Sequence, residues 1–139
     1  MNIRTITEEK IKAYLQTVVE ITYPILLGQE LEQNDHLNMV IAYAPSATAS
    51  DLGIDNYGNY SVKLDVHVYT DIHEGTLESH RDMTDLVEGA LSQFNLIKTA
   101  WETDSGMLYA LTFENVDEAK DDKRLGVILH YELFCCLPD

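Results

Sequence analysis

Basic residues are scarce in this chain. Its 139 residues include 9 Lys and Arg against 24 Asp and Glu, a net charge of −15 at pH 7. A surface that negative repels nucleic-acid phosphates and anionic lipid headgroups, which disfavours either partner as the target of a basic patch. No apolar run approaches the length of a bilayer crossing. The opening Met1-Asn2-Ile3-Arg4 runs directly into charged helical sequence with no hydrophobic leader, so the expected compartment is a cytoplasm. There are only two cysteines, Cys135 and Cys136, and they are adjacent. Ring strain disfavours a bridge between them, so two free thiols in a reducing compartment are expected. The sequence also lacks a glycine-rich phosphate loop, a serine-centred elbow and a His-Glu-x-x-His helix.

What remains is ordinary globular composition, 45% hydrophobic and 24% charged. The length fits one domain, residues 1–139, able to bury about two-thirds of its unfolded surface. No repeat or low-complexity tract divides it.

The periodicity predicts the elements. Thr5 and Glu8 have capping-box spacing, and Ile11, Tyr14, Leu15, Val18 and Val19 form a helical stripe, so a helix is expected from about Thr7 to Ile21, before Pro24. Leu37 to Tyr43 reads as a strand. Residues 44–59, with Pro45, Gly53 and Gly58, read as a long turn-rich loop. From Tyr60 to Tyr69, Tyr60, Val62, Leu64, Val66 and Val68 alternate with polar residues, the mark of a half-buried strand. A second helix is expected from about Leu77 to Phe94, with Met83, Leu86, Val87, Ala90, Leu91 and Phe94 inward. Leu96 to Trp101 is expected as a short strand, Met107 to Val116 and Leu125 to Cys135 as longer ones. Short turns between the late strands imply antiparallel pairing. The expected fold is α+β: a mainly antiparallel sheet with two helices packed on one face.

Little of the sequence advertises chemistry. His67, Asp71, His73 and His80 are residue types that suit zinc or iron, and a metal-dependent enzyme built on them is one alternative. Their spacing fits no familiar ligand motif, and a solvated group near a strand end is the simpler reading. Cys135, Cys136 and His130 could suggest a thiol nucleophile, but nothing nearby in sequence lowers a thiol pKa. Acidity itself admits another class, a domain that mimics nucleic acid to engage a DNA-binding enzyme.

The order of elements resembles the tail terminator (tail completion) proteins of long-tailed bacteriophages. The likeness rests on the N-terminal amphipathic helix, the strand Val62–Thr70 leading to Gly75, the helix Met83–Phe94, and the closing pair Leu111–Glu114 and Gly126–Leu133. Residues 29–59 depart from it, being long and irregular. The resemblance implies a non-enzymatic virion protein without catalytic residues, cofactor or metal. It implies a hexameric ring, assembled in the host cytoplasm, that ends the tail tube and joins it to the head. The implied partners are the tail tube protein and a head-completion or neck protein, with DNA passing through unbound and no membrane involved. Another head–tail connector of similar fold is the nearest alternative. Acidity agrees with a DNA passage, and it is lopsided: residues 71–139 hold 15 acids and 5 bases, residues 1–70 hold 9 and 4. A closed ring needs two unlike patches on each subunit. The interface candidates are Tyr57 and Asn59 in the loop 44–59, and Asp117, Glu118, Lys120, Asp121, Asp122, Lys123 and Arg124 in a charged loop expected over Asn115–Arg124.

Overall fold

A computed structural model of the chain describes residues 2–28, 36–49, 59–104 and 106–136. Among these residues five strands form one sheet and three helices cover one of its faces, an α+β fold. The elements are α1 (Ile3–Gln16), β1 (Ile25–Leu27), β2 (Met39–Ala49), β3 (Asn59–Asp71), α2 (Leu77–Leu91), α3 (Phe94–Trp101), β4 (Met107–Glu118) and β5 (Arg124–Cys136). The sheet order is β1-β2-β3-β5-β4. β1 pairs parallel with β2, and every other pair is antiparallel.

The alternation in β3 sets the register. Val62, Leu64, Val66 and Val68 face the helices and are fully buried, in one core with Met83, Val87, Ala90 and Leu91 of α2. Their β5 partners Leu133, Tyr131, Leu129 and Val127 continue that face, as does Cys135. On the β2 side Val40, Ala42 and Ala44 extend it beneath Ile11 and Leu15 of α1. The Tyr14 hydroxyl donates to the Ala90 carbonyl at 2.7 Å, tying α1 to α2.

Four local expectations are corrected. Helix α1 starts earlier because Asn2 caps it, its side-chain oxygen accepting from the Arg4 N–H at 2.9 Å. Thr7 and Glu8 are consequently buried, and Val19, beyond the helix end, is 86% exposed. Strand β2 continues through Pro45 to Ala49. The register shifts between Tyr43 and Ser46, and at such a bulge the missing proline N–H breaks no ladder bond. Leu96 to Trp101 belongs to a third helix rather than a strand, with Ile97 and Trp101, one turn apart, as its buried face. The second helix stops at Leu91, closed by Ser92.

The far face of the sheet is not uniformly polar. Met39, Ile41 and Tyr69 form a second small core, joined by Leu26, Tyr43 and Ala119. His67 and Tyr69, expected to face solvent, are therefore buried. Gly126 permits this packing: a Cβ there would lie 2.7 Å from both the Ala119 carbonyl and the Tyr69 ring.

Candidate functional site

The polar stretch of the sheet's far face is built from β3, β5 and β4. Lys63 lies between Glu132 at 2.5 Å and Glu114 at 3.1 Å. Hydrogen bonds to these two carboxylates raise its pKa. One register step along, His130 is clamped between Asp65 and Asp117. Its Nδ1 is 2.6 Å from Asp65 and its Nε2 is 2.8 Å from Asp117. Only an imidazolium donates to both carboxylates at once. Burial pulls the His130 pKa down, but hydrogen bonds and charge from Asp65 and Asp117 outweigh it and leave it raised. With both nitrogens engaged, His130 holds three strands together and offers no free lone pair to a substrate or metal.

The turn between β4 and β5 carries most of the expected interface residues. Asp117 and Glu118 are the last of these residues within β4 rather than in a loop. Lys120 lies 3.5 Å from Glu118. Asp121 accepts the backbone N–H groups of Lys123 and Arg124 at 2.8 Å, and the Arg124 guanidinium at 3.0 and 2.7 Å. The guanidinium, closest of these partners, holds the Asp121 carboxyl below the usual range. Arg124 also stacks 4.6 Å from the centre of the Tyr69 ring. Asp121 and Arg124 thus shape the turn, and Asp122 and Lys123 are left exposed. An open cleft of about 810 Å³ adjoins this turn, bordered by His36, Leu37, His73, Asp121, Asp122, Lys123 and Arg124. Asn59 is far from it: Asn59 pairs with Cys136 and Asp71 with Arg124, so the two ends of β3 are roughly 40 Å apart. Tyr57 lies outside the described residues.

The four residues of the metal alternative are separated. His67 sits in the second core, its Nδ1 3.2 Å from the Tyr69 hydroxyl and its Nε2 buried without a partner. Asp71 accepts the His73 N–H at 2.9 Å in a turn. His80 points to Thr70 at 2.9 Å from α2. Burial lowers the pKa of both His67 and His80. Among the described residues no group of three or more His, Cys, Asp or Glu could hold a metal ion. Cys135 is buried, which pushes its thiol up to about 12, the reverse of what a nucleophile needs. No helix among the described residues is long and apolar enough to cross a membrane.

Two surface features complete the description. One is the carboxylate surface of α2, where Glu78, Asp82, Asp85 and Glu88 are all exposed, as the helical periodicity predicts, with Arg81 the one base among them. The amphipathic pattern places them outward but does not reveal what they would face. The other is the exposed trio Tyr109, Phe113 and Val116 on β4. Their strand lies at the margin of the sheet, a position no local pattern encodes.

No protein-family model matches this chain, and no curated protein matches it.

Proposed function

We propose that this chain is a structural subunit of the tail-terminator type: a ring-forming virion protein that ends a phage tail tube and joins it to the head or neck. The observation that supports it best is the distribution of charge. The outer face of α2 presents four carboxylates, while six of the nine Lys and Arg side chains are engaged by the chain's own carbonyls and carboxylates. Arg4 and Lys10 donate to the Ala44 and Trp101 carbonyls, and Lys63, Lys98, Lys120 and Arg124 pair with carboxylates. Such a domain forms an acidic wall past which DNA moves without being gripped. The hairpin turn and the Asn59 end, at opposite ends of β3, supply two unlike surfaces for a head-to-tail contact.

Mass by light scattering, across salt and protein concentration, tests the proposal together with electron microscopy. The expected result is a hexameric ring, favoured by added salt that screens subunit repulsion or by the end of a tail tube. A monomer under every condition, with no binding to purified tail tubes, overturns it. The same acidic face supports a second reading, a mimic of nucleic acid, and a tight complex with a DNA-binding enzyme would favour that instead.

A further inference from the structure

Strand β4 spans twelve residues at the margin of the sheet and, among the described residues, pairs only with β5. Its edge is sealed at one point near the start. The Glu102 carboxylate accepts the Leu108 N–H at 3.1 Å, and the Lys98 ammonium donates to the Leu108 carbonyl at 3.3 Å. Lys98 and Glu102 are themselves paired. From Tyr109 to Glu118 no described residue outside β5 hydrogen-bonds to the backbone. An uncovered edge of this length is a template for another strand.

The register fixes the chemistry of the strand that fits. Leu111, Phe113 and Val116 stand opposite Leu133, Tyr131 and Leu129, so they carry the helix-side apolar face out to the edge. Phe113 is 44% and Val116 50% exposed. On the opposite face Glu114 and Asp117 reach Lys63 and His130, where carboxylates outnumber cations, and Glu118 closes the strand. The strand holds three acids and no base. Two bulges twist it, which guards against indiscriminate pairing.

We propose that the β4 edge receives, by strand addition, an extended segment of another protein in which apolar and basic residues alternate. Apolar side chains of the incoming strand would continue the face of Leu111, Phe113 and Val116, and its Lys or Arg would meet Glu114 and Asp117. A second copy of β4 is a poor occupant, since it would set carboxylate against carboxylate with no base in either strand. The proposal is independent of ring formation: a chain that never closes a ring keeps this edge.

The probe is a fluorescent Lys-Val repeat peptide of about ten residues, compared with one of equal composition whose lysines are grouped. Anisotropy titration gives affinity, and amide hydrogen exchange locates the contact. The expected result is saturable binding of the alternating peptide alone, with new protection in β4. Binding should weaken by about tenfold or more in a Glu114→Lys/Asp117→Asn variant that still melts cooperatively. If that variant does not fold, Glu114→Gln/Asp117→Asn takes its place, with the same direction expected. Absence of saturable binding overturns the proposal. So does equal binding of both peptides, or protection confined to α2. Protection of β4 by self-association without peptide overturns it in favour of a second copy.

Discussion

The carboxylate of Glu8 accepts the backbone N–H of Ala44 at 2.8 Å, inside the domain. One helical turn away Arg4 donates from Nε to the carbonyl of the same Ala44 at 2.6 Å. Ala44 lies where the register of β2 shifts. Its backbone groups are thus satisfied by two α1 side chains, and the helix start and the bulge are one construction. Replacing Glu8 with Ala leaves a buried N–H without a partner, at a cost of about 1–3 kcal/mol. Gly28→Ala should act through the same contact, because a Cβ there would lie 2.9 Å from Glu8 Oε2 and closer still to the Tyr43 ring. Denaturant melts of both variants should show reduced stability; a Glu8→Ala protein as stable as the parent would refute the role given to this bond.

Leu64 is fully buried at the centre of β3, opposite Tyr131. Leu64→Asp places an unpaired carboxylate in the core, a loss of about 4–5 kcal/mol or more. The expected outcome is a chain with no cooperative thermal transition. A soluble variant with a parent-like melt would contradict the register of the sheet.

The same residues show how much was legible beforehand. Strict alternation from Tyr60 to Val68, and again from Leu125 to Cys135, gave the two central strands and their buried faces, because burial on one side demands period two. Leu96–Trp101 reads as a strand in isolation because six residues hold too few periods to separate helix from strand, and the contacts that decide for a helix are distant. The Lys10 ammonium donates to the Trp101 carbonyl at 2.6 Å and sits 5.4 Å from that ring's centre. Pro45 signalled a break because the bulge that accommodates it depends on pairing with β3. Among the expected interface residues, the hairpin group shows in the sequence as a cluster of adjacent charges. The stacking of Arg124 on Tyr69 does not show there, since it joins segments far apart in the chain.

His130 predicts a pH dependence with a definite sign. Its folded pKa is raised above the ordinary histidine value of about 6.5, so its contribution is complete below that value and fades as pH rises through the folded pKa. His67 and His80 act oppositely. Burial lowers their pKa values, so the fold loses their contribution as pH falls below about 6.5. Thermal melts of the parent should decline as pH rises above about 6.5, and His130→Gln should remove that decline while leaving the acid-side loss. An unchanged decline above that pH in His130→Gln would refute the bridging imidazolium. NMR titration of the His130 ring gives a direct check.

The last prediction concerns DNA, and it rests on where each cation is held. Among the described residues only Lys12, Arg81 and Lys123 lack a carboxylate or carbonyl partner for their side chains. They lie on α1, on α2 and in the β4–β5 turn, one on each, and Arg81 sits among Glu78, Asp82 and Asp85. Three dispersed cations release few counterions from a duplex, whereas the surplus of acids repels it over about 8 Å at physiological salt and farther at lower salt. For a basic groove, lowering the salt strengthens binding steeply. Here it should strengthen only the repulsion. Retention on immobilised double-stranded DNA should therefore stay unmeasurable from physiological salt down to roughly 10 mM, where the screening length reaches about 30 Å. Retention that appears as salt is lowered, with the logarithm of affinity falling linearly in the logarithm of salt concentration, would mean that the cations act together on phosphate. The acidic wall proposed for DNA passage would then be wrong, whatever the assembly state of the protein.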